Sequence, residues 1–437
     1  MALVLEKSKL ITKIFVGIFW LVAVTPFLGQ ELMPSIYEKV SAYISLLADA
    51  TLIALGVLLC KKRIDRILIL LFLLIAIIST IYINKLSVLY LVNGMRLYIG
   101  YLFVIPILRY FLENEKLRDD FIRKIDRHLY VFLWIQVPCM IYQCILYGAY
   151  DQVGGSIGWM MSGVITTLIY LISFYLMLKC WDNTKTYLQN IRKNWILIFL
   201  LFPSFLNETK ISFVFLVMYF FFLIPMDKKF IKRMFYIVPT IFVVLVAALY
   251  LYYTTTGSQD NIVSEEYISF YLQGDEDSLN LVELAFEGDA LETAEDQGND
   301  WARGLKLAVL PWMLQTEDYA PFWGFGVSQF KGGTIVERTA FYKEYEWILK
   351  GTELQLQIWL IDIGIIGLIW SIFFWIFTLK LNKKCNRHLQ LQIYLGLVVI
   401  ITSIYNSCFT IMPFYIIFMY IVFLSGDKNK FNIISSD

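Results

Sequence analysis

The sequence predicts an all-α polytopic membrane protein, with about twelve transmembrane helices and one large loop outside the bilayer. Three observations carry this. Hydrophobic residues make up 59% of the 437 and charged residues 17%, with a mean hydropathy of +0.64, whereas soluble domains hold about 45–50% apolar and about 25% charged residues. Apolar runs of bilayer-crossing length recur from residue 10 to residue 425, since about 20 such residues span the hydrocarbon core. Lys and Arg collect in alternate connections, as they do when one side of the membrane retains them.

In chain order the predicted spans are 10–28, 41–60, 67–83, 87–108, 129–147, 159–178, 194–206, 211–225, 235–253, 356–379, 389–404 and 408–425. The first run lacks a small-residue cleavage motif before Gly29 and reads as a retained span. Residues 1–253 then form an N-terminal bundle of about nine spans, 254–355 a large loop, and 356–437 a C-terminal part of about three. Basic residues cluster at 61–66, 109–127, 179–193, 228–233 and 380–387, while the short connections on the other side carry only Lys39, Lys85 and Lys210. This bias predicts both termini in the cytoplasm and the loop outside. The net charge of +1 gives no reason to expect a nucleic-acid partner.

The loop has two halves. Residues 254–300 contain thirteen Asp and Glu and no Lys or Arg, with one modest amphipathic stretch at Leu279–Phe286, and read as a solvated acidic apron. Residues 301–355 carry six charges of each sign. There Asp300 suits the N-cap of a helix from Trp301 to about Leu314. Gly324 and Gly326 break the chain, and Phe341, Tyr345 and Ile348 recur at helical spacing on a second helix. Gly351 suits its C-terminal cap.

Several residues stand out as candidates for chemistry. Arg303 falls in the first turn of the helix expected after Asp300, where N–H groups and a guanidinium together suit phosphate; the alternative is a surface pair with Asp300 or Asp296. Arg96 lies mid-span, where a charge costs about 2.5–3.5 kcal/mol on insertion scales, so it is kept for a partner, with Asp49 in the second span available, or for a ligand. Asn207-Glu-Thr-Lys210 separates two apolar runs too short for ordinary spans, and reads either as a simple turn with a snorkelling Lys or as broken helices around a buried polar turn. Gly154, Gly155 and Gly158 form a turn able to offer N–H groups to an anion. Trp301, Trp312, Phe322, Trp323 and Trp347 suit sugar stacking or packing. None of the six cysteines and neither histidine, His128 or His388, lies in the loop, so the sequence offers no metal constellation there and no cofactor is expected.

In this order of features the chain resembles the O-antigen polymerase and O-antigen ligase superfamily of bacterial inner-membrane glycosyltransferases. The resemblance rests on Arg303 followed by a helix, on Pro321-Phe-Trp-Gly-Phe-Gly326, and on Thr352-Glu353 leading into Leu360-Ile-Asp-Ile-Gly364-Ile-Ile-Gly367. It implies a fold of the GT-C class, a periplasmic loop, and undecaprenyl-diphosphate-linked oligosaccharide as substrate, with a chain-length regulator as a possible partner beside the bilayer. Where the family often has Ser-Arg, this chain has Thr209-Lys210, which keeps the charge and loses the bidentate fork. The ligase branch typically carries a catalytic His before the Gly-x-x-Gly span; Thr352-Glu353 stand there instead, which favours a polymerase.

On this reading Arg303, Lys210 and Arg96 bind the diphosphate, with Arg338, Trp323, Gly324 and Gly326 completing the substrate surface. Glu353 or Glu208 serves as general base toward the acceptor hydroxyl. The alternatives are a ligase, or a lipid-linked sugar flippase or other transporter, against which the absence of a visible internal repeat weighs.

Overall fold

The computed structural model describes residues 2–149, 151–207, 209–224, 276–287, 301–330, 336–379 and 386–425, with the isolated positions 239 and 243. The predicted span 235–253, most of the acidic half of the loop and Glu208 therefore lie outside the described residues. The described chain is helical, without strands. Among the described residues six helices are long and apolar enough to cross a membrane: Glu6–Leu32, Pro34–Leu59, Arg63–Ile83, Glu115–Tyr147, Ser162–Lys179 and Gln355–Ile376. Five shorter apolar helices join them: Leu102–Leu112, Trp195–Phe205, Ile211–Phe222, Leu389–Tyr405 and Met412–Ser425. The chain is a membrane-embedded all-α protein.

The first helices follow the apolar runs, with their ends shifted by polar residues. Helix α1 (Ala2–Leu32) begins ahead of its apolar run. It lies against α2 (Pro34–Leu59). Helix α3 (Arg63–Ile77) widens into a π-helical turn at Ile78–Ile83. The run predicted as one span at 87–108 is two helices, α4 (Val88–Met95) and α5 (Ile99–Leu112), broken around Arg96–Tyr98. Helix α6 (Glu115–Tyr147) starts well before the predicted residue 129, because Asn114 caps it by accepting from the Lys116 N–H at 3.2 Å. Helix α7 (Ser162–Lys179) is the most enclosed span, with every residue from Val164 to Leu178 buried.

After α8 (Tyr187–Lys193) the chain does not cross in one regular helix. Helix α9 (Trp195–Phe199) gives way to a 3-10 turn at Phe202–Phe205, and α10 (Ile211–Phe222) follows a polar turn in which Asn207 and Thr209 are buried. This is the broken-helix form of the two sequence alternatives. Helix α11 (Glu276–Glu287) contains the amphipathic stretch and docks through Phe286, stacked 5.6 Å from Tyr345, so part of the acidic half packs rather than standing free.

The rest of the loop folds as short helices: α12 (Arg303–Ala308), α13 (Leu310–Gln315), α14 (Ala320–Trp323), α15 (Ala340–Glu344) and α16 (Glu346–Leu349). Two expectations change here. The helix predicted over 301–314 is split after Ala308, starts at Arg303, and has Ala302 at its N-cap with no side-chain cap. The helix predicted through Phe341 and Ile348 breaks at Tyr345, whose φ of −105° and ψ of 17° leave the helical region. Thr339 explains where α15 starts, because its hydroxyl accepts from the Tyr342 N–H at 3.1 Å. Helices α17 (Gln355–Leu379), α18 (Asn386–Tyr405) and α19 (Met412–Ser425) complete the bundle.

Helix α17 is not continuous. Gly364 sits at φ 61° and ψ −163°, a backbone region essentially confined to glycine. The loop fills the break. Gly324, at φ 68° and ψ −168°, packs so closely that an added Cβ would lie 2.6 Å from the Ile361 carbonyl oxygen, and one on Gly364 would lie 2.4 Å from the Phe322 carbonyl oxygen. The Phe325 N–H donates to the Ile361 carbonyl at 2.7 Å. Irregular backbone inside a membrane protein persists only where protein or a cavity satisfies it, and here the π-helical turn after α3, Asn84 and Tyr98 do so. Ser79 Oγ donates to the Trp323 carbonyl at 2.6 Å, Asn84 Nδ2 to the Gly324 carbonyl at 3.0 Å, and the Val327 N–H to Thr80 Oγ1 at 3.1 Å. The π-helical widening brings Ser79, Thr80 and Asn84 to one face. Asp362, fully buried, accepts from Tyr98 Oη at 2.8 Å and from the Gln329 N–H at 3.2 Å.

Charge is placed at two further levels. At the end carrying the basic connections, Arg109 pairs with Asp65 at 2.9 Å, and Asp126 takes Lys179 together with Tyr175 and Tyr420. Within the bundle, Arg96 donates through Nε to Asp49 at 2.6 Å and through Nη2 to Ser45 Oγ at 2.8 Å. The sequence offered Arg96 an ion pair, a ligand or both; the structure shows the ion pair. Truncating one partner of a desolvated pair costs about 3–5 kcal/mol, more than replacing both. Asp49→Ala is thus expected to lower the thermal midpoint in detergent sharply, and Asp49→Leu with Arg96→Met to recover most of that loss. Equal losses for the single and double variants would show that the pair is not the cause.

Candidate functional site

At the end of the bundle that carries the loop, three elements converge on Tyr405 and Asn406, where α18 ends, and a fourth is tied to one of them. The first is α12, whose Arg303 lays its guanidinium 4.2 Å from the centre of the Tyr405 ring. The second is the start of α17, where the Gln355 N–H donates to the Asn406 carbonyl at 3.1 Å. The third is α7: a Cβ on Gly163 would fall 3.0 Å from Asn406 Nδ2 and 3.3 Å from the Tyr405 ring, so the approach is close. The fourth is the turn before α10. Asn207 Nδ2 donates to Thr166 Oγ1 at 3.1 Å and to the Ser162 carbonyl at 3.3 Å, tying that turn and Lys210 behind it to α7.

Buried polar groups accumulate at this convergence. Thr209 Oγ1, Gln355 Oε1, Asn406 Nδ2 and both polar atoms of the Gln357 amide have no hydrogen-bond partner among the described residues, although Thr209 is 4% exposed, Gln355 1% and Gln357 0%. Each such atom costs about 1–3 kcal/mol when left unsatisfied. A concentration of them beside a stacked arginine suits a polar ligand carrying hydroxyl groups and negative charge.

The path to Glu353 runs through a residue that sequence reasoning passed over. Lys306, fully buried, donates through Nζ to the carbonyls of Lys350 at 2.6 Å and Thr352 at 3.3 Å. Its charge thus caps the carbonyls after α16 and fixes the strand of chain that presents Glu353. Trp301 Nε1 adds a bond to the Trp347 carbonyl at 2.9 Å. A lysine three residues beyond Arg303, on a short apolar helix without an acid, was the available clue. Glu353 is half-buried. Nearby, Arg338 lies 4.0 Å over the Tyr342 ring, and its buried Nη1 has no hydrogen-bond partner among the described residues. Burial pushes the Tyr342 phenol above its ordinary pKa, with the Arg338 guanidinium pulling down and Glu353 pushing up, so both charges act at one place.

The chain matches none of the known protein-family models and none of the curated protein sequences.

Other predicted site residues fall elsewhere. Gly324 and Gly326 belong to the seam with α17, where Gly326 would set a Cβ 3.1 Å from Thr80 Cα. They hold the loop in the bundle, and half-buried Trp323 gives its carbonyl to Ser79. Arg96 is spent on Asp49 and Ser45. Glu208 lies outside the described residues. The Gly154–Gly158 turn is no anion nest, because side chains already hold its N–H groups. Gly155 donates to Gln143 at 2.8 Å, Ser156 to Gln136 at 2.9 Å and Trp159 to Gln30 at 2.7 Å. Glycines show where the backbone can bend; they do not show which amides reach it.

The seam also borders a cleft of about 570 Å³ between the loop and Asn84, with Gln329, Glu317 and Glu344 among aromatic walls from Phe341 and Tyr345. Aromatic faces with a few amides and carboxylates are the usual makings of a carbohydrate surface. Among the described residues no group of three or more His, Cys, Asp and Glu is placed to hold a metal ion.

Proposed function

We propose that this chain is a glycosyltransferase of the O-antigen polymerase type. It joins undecaprenyl-diphosphate-linked oligosaccharide units into polysaccharide at the periplasmic face of a bacterial inner membrane. The reading takes the chain as about twelve spans of GT-C-like architecture, with both termini cytoplasmic and a chain-length regulator as a candidate partner. One observation carries it: a stacked arginine, Arg303, stands beside buried polar groups without a hydrogen-bond partner among the described residues, at the loop end of an apolar bundle. A lipid-diphosphate donor has the same division, with an apolar tail, a charged leaving group and a hydroxyl-rich head.

In the proposed reaction the acceptor hydroxyl attacks the anomeric carbon, its proton passes to a base, and the diphosphate departs with the bonding electrons. Arg303, with Lys210 and Arg338, offsets the charge developing on that leaving group. Glu353 takes the proton, held in place by Lys306 and the segment it caps. The cleft at Asn84 and Tyr345 suits a sugar of the growing chain.

The glycan profile of a deletion strain tests the reading against its rivals. A polymerase leaves single repeat units on the acceptor. A ligase leaves none, with polymer retained on the carrier, and a flippase traps units on the inner face. Within the deletion background, Glu353→Gln is expected to lower polymer yield about 10²–10⁴-fold, the usual worth of a positioned base. Wild-type chain length from that variant removes Glu353 from the mechanism.

A further inference from the structure

We propose that a groove between α1 and α6, at the end with the basic connections, binds an anionic glycerophospholipid. The groove encloses about 720 Å³. It is built from two stripes: Lys9, Lys13, Val16 and Trp20 on α1, and Lys124, Arg127, His128, Val131 and Ile135 on α6. Lys9, Lys13, Val16 and Trp20 step by three or four residues, as do Lys124, His128, Val131 and Ile135 with Arg127 beside them, so each stripe occupies one helical face. The helices run parallel. Their far ends are joined where Gln143 Nε2 and Tyr147 Oη donate to Glu31 at 3.0 and 2.7 Å, and their middles where Trp20 Nε1 donates to His128 Nδ1 at 3.0 Å. Cations of both stripes therefore meet at one level and apolar residues at the next.

That division is the chemistry of a phospholipid lying along a bundle. The upper half presents Lys9, Lys13, Lys124 and Arg127 to a phosphate. Lys124 is paired with Asp120 at 2.6 Å, while Lys9, Lys13 and Arg127 have no acidic partner within 4 Å among the described residues. Because His128 accepts from Trp20 at Nδ1, its ring proton sits on Nε2, leaving a donor at headgroup depth. Below it, Val16, Val131 and Ile135 are part-exposed apolar side chains suited to an acyl chain, and Trp20 sits at the junction, where amphipathic rings settle in membranes. A soluble anion has no use for that lower half. Basic pockets between spans are a recognised setting for anionic headgroups.

The inference stands apart from the glycosyltransferase reading, since it needs only membrane embedding. Its test is titration of the purified full chain in detergent with phosphatidylglycerol or phosphatidylcholine, followed by native mass spectrometry. Phosphatidylglycerol is expected to bind in preference. At about fivefold per cation near the headgroup, Lys9→Gln/Lys13→Gln/Arg127→Gln should weaken its binding roughly a hundredfold. Val131→Trp keeps every charge, fills the acyl half, and should weaken binding at least about tenfold. Arg63→Gln/Lys185→Gln/Arg192→Gln, all exposed at the same end and outside the groove, should leave binding unchanged. Thermal midpoints in phosphatidylcholine check that each variant folds. Unchanged binding in the groove triple or in Val131→Trp overturns the proposal, as does equal weakening by the control triple. Displacement of the lipid by inorganic phosphate alone would make the site one for a free anion and overturn it too.

Discussion

Arg303→Ala is expected to cut polymer yield about 10²–10³-fold, the loss seen when one preorganised group opposing transition-state charge is removed. Arg303→Lys should recover only part of it. Lysine restores the charge and loses both the planar stack on Tyr405, 4.2 Å away, and the fork that matches a phosphate oxygen pair. The ordering wild type, Lys, Ala in a chain-length assay therefore separates charge from geometry. The thermal midpoint of purified Arg303→Ala should move little, because Lys306 and Trp301 hold α12 in place without it. Wild-type polymer from Arg303→Ala would remove the central residue of the proposed site.

Gly324→Ala and Gly364→Ala are each expected to destabilise the fold by roughly 2–6 kcal/mol. About 1–3 kcal/mol comes from a backbone region that side chains avoid, and about 1–3 from overpacking. The neighbours in both cases are backbone atoms at 2.4–2.7 Å from the new Cβ, which cannot swing aside as a flexible side chain would. The two effects should add poorly, since each glycine meets the backbone beside the other. Gly17→Ala and Gly396→Ala supply the contrast. Nothing lies within 4 Å of a Cβ at either helical position, so alanine there should be neutral or stabilising by up to about 1 kcal/mol. Thermal unfolding in detergent measures all four, and equal losses across them would show that the seam has no special rigidity.

The comparison of sequence with structure turns on what spacing can express. Bilayer-length apolar runs announce themselves, and so does a charge in the middle of one, which is why Arg96 and its partner Asp49 were legible. Arg303 was legible as a cation at a helix start, but its ring partner was not, because Tyr405 lies 102 residues on at the end of an unremarkable span. The break in α17 was invisible for a physical reason: Leu360-Ile-Asp-Ile-Gly364-Ile-Ile-Gly367 reads as continuous helix until a second glycine meets it from the loop. Gly324 and Gly326 were read as a ligand turn because a Gly-x-Gly pattern reports backbone freedom, not the use made of it. Lys306 and the glutamines at 136 and 143 were missed because backbone groups are among their partners, and these leave no trace in composition.

The seam at Gly364 also sets an order of assembly. Ser79, Asn84 and Tyr98 leave the ribosome early, and the groups they bind arrive 240 to 283 residues later. Until Asp362 has been made, the hydroxyl of Tyr98 and the widened turn of α3 have nothing to close upon, and residues 322–330 have no floor. Closing contacts of such separation come late, because the intervening chain must first be confined. The early spans are thus inserted with a polar gap among them, and the tenth predicted span and the loop before it must enter that gap as one unit. A nascent chain halted before residue 362 should keep these early helices open to proteases and quality control, whatever the number of spans already threaded.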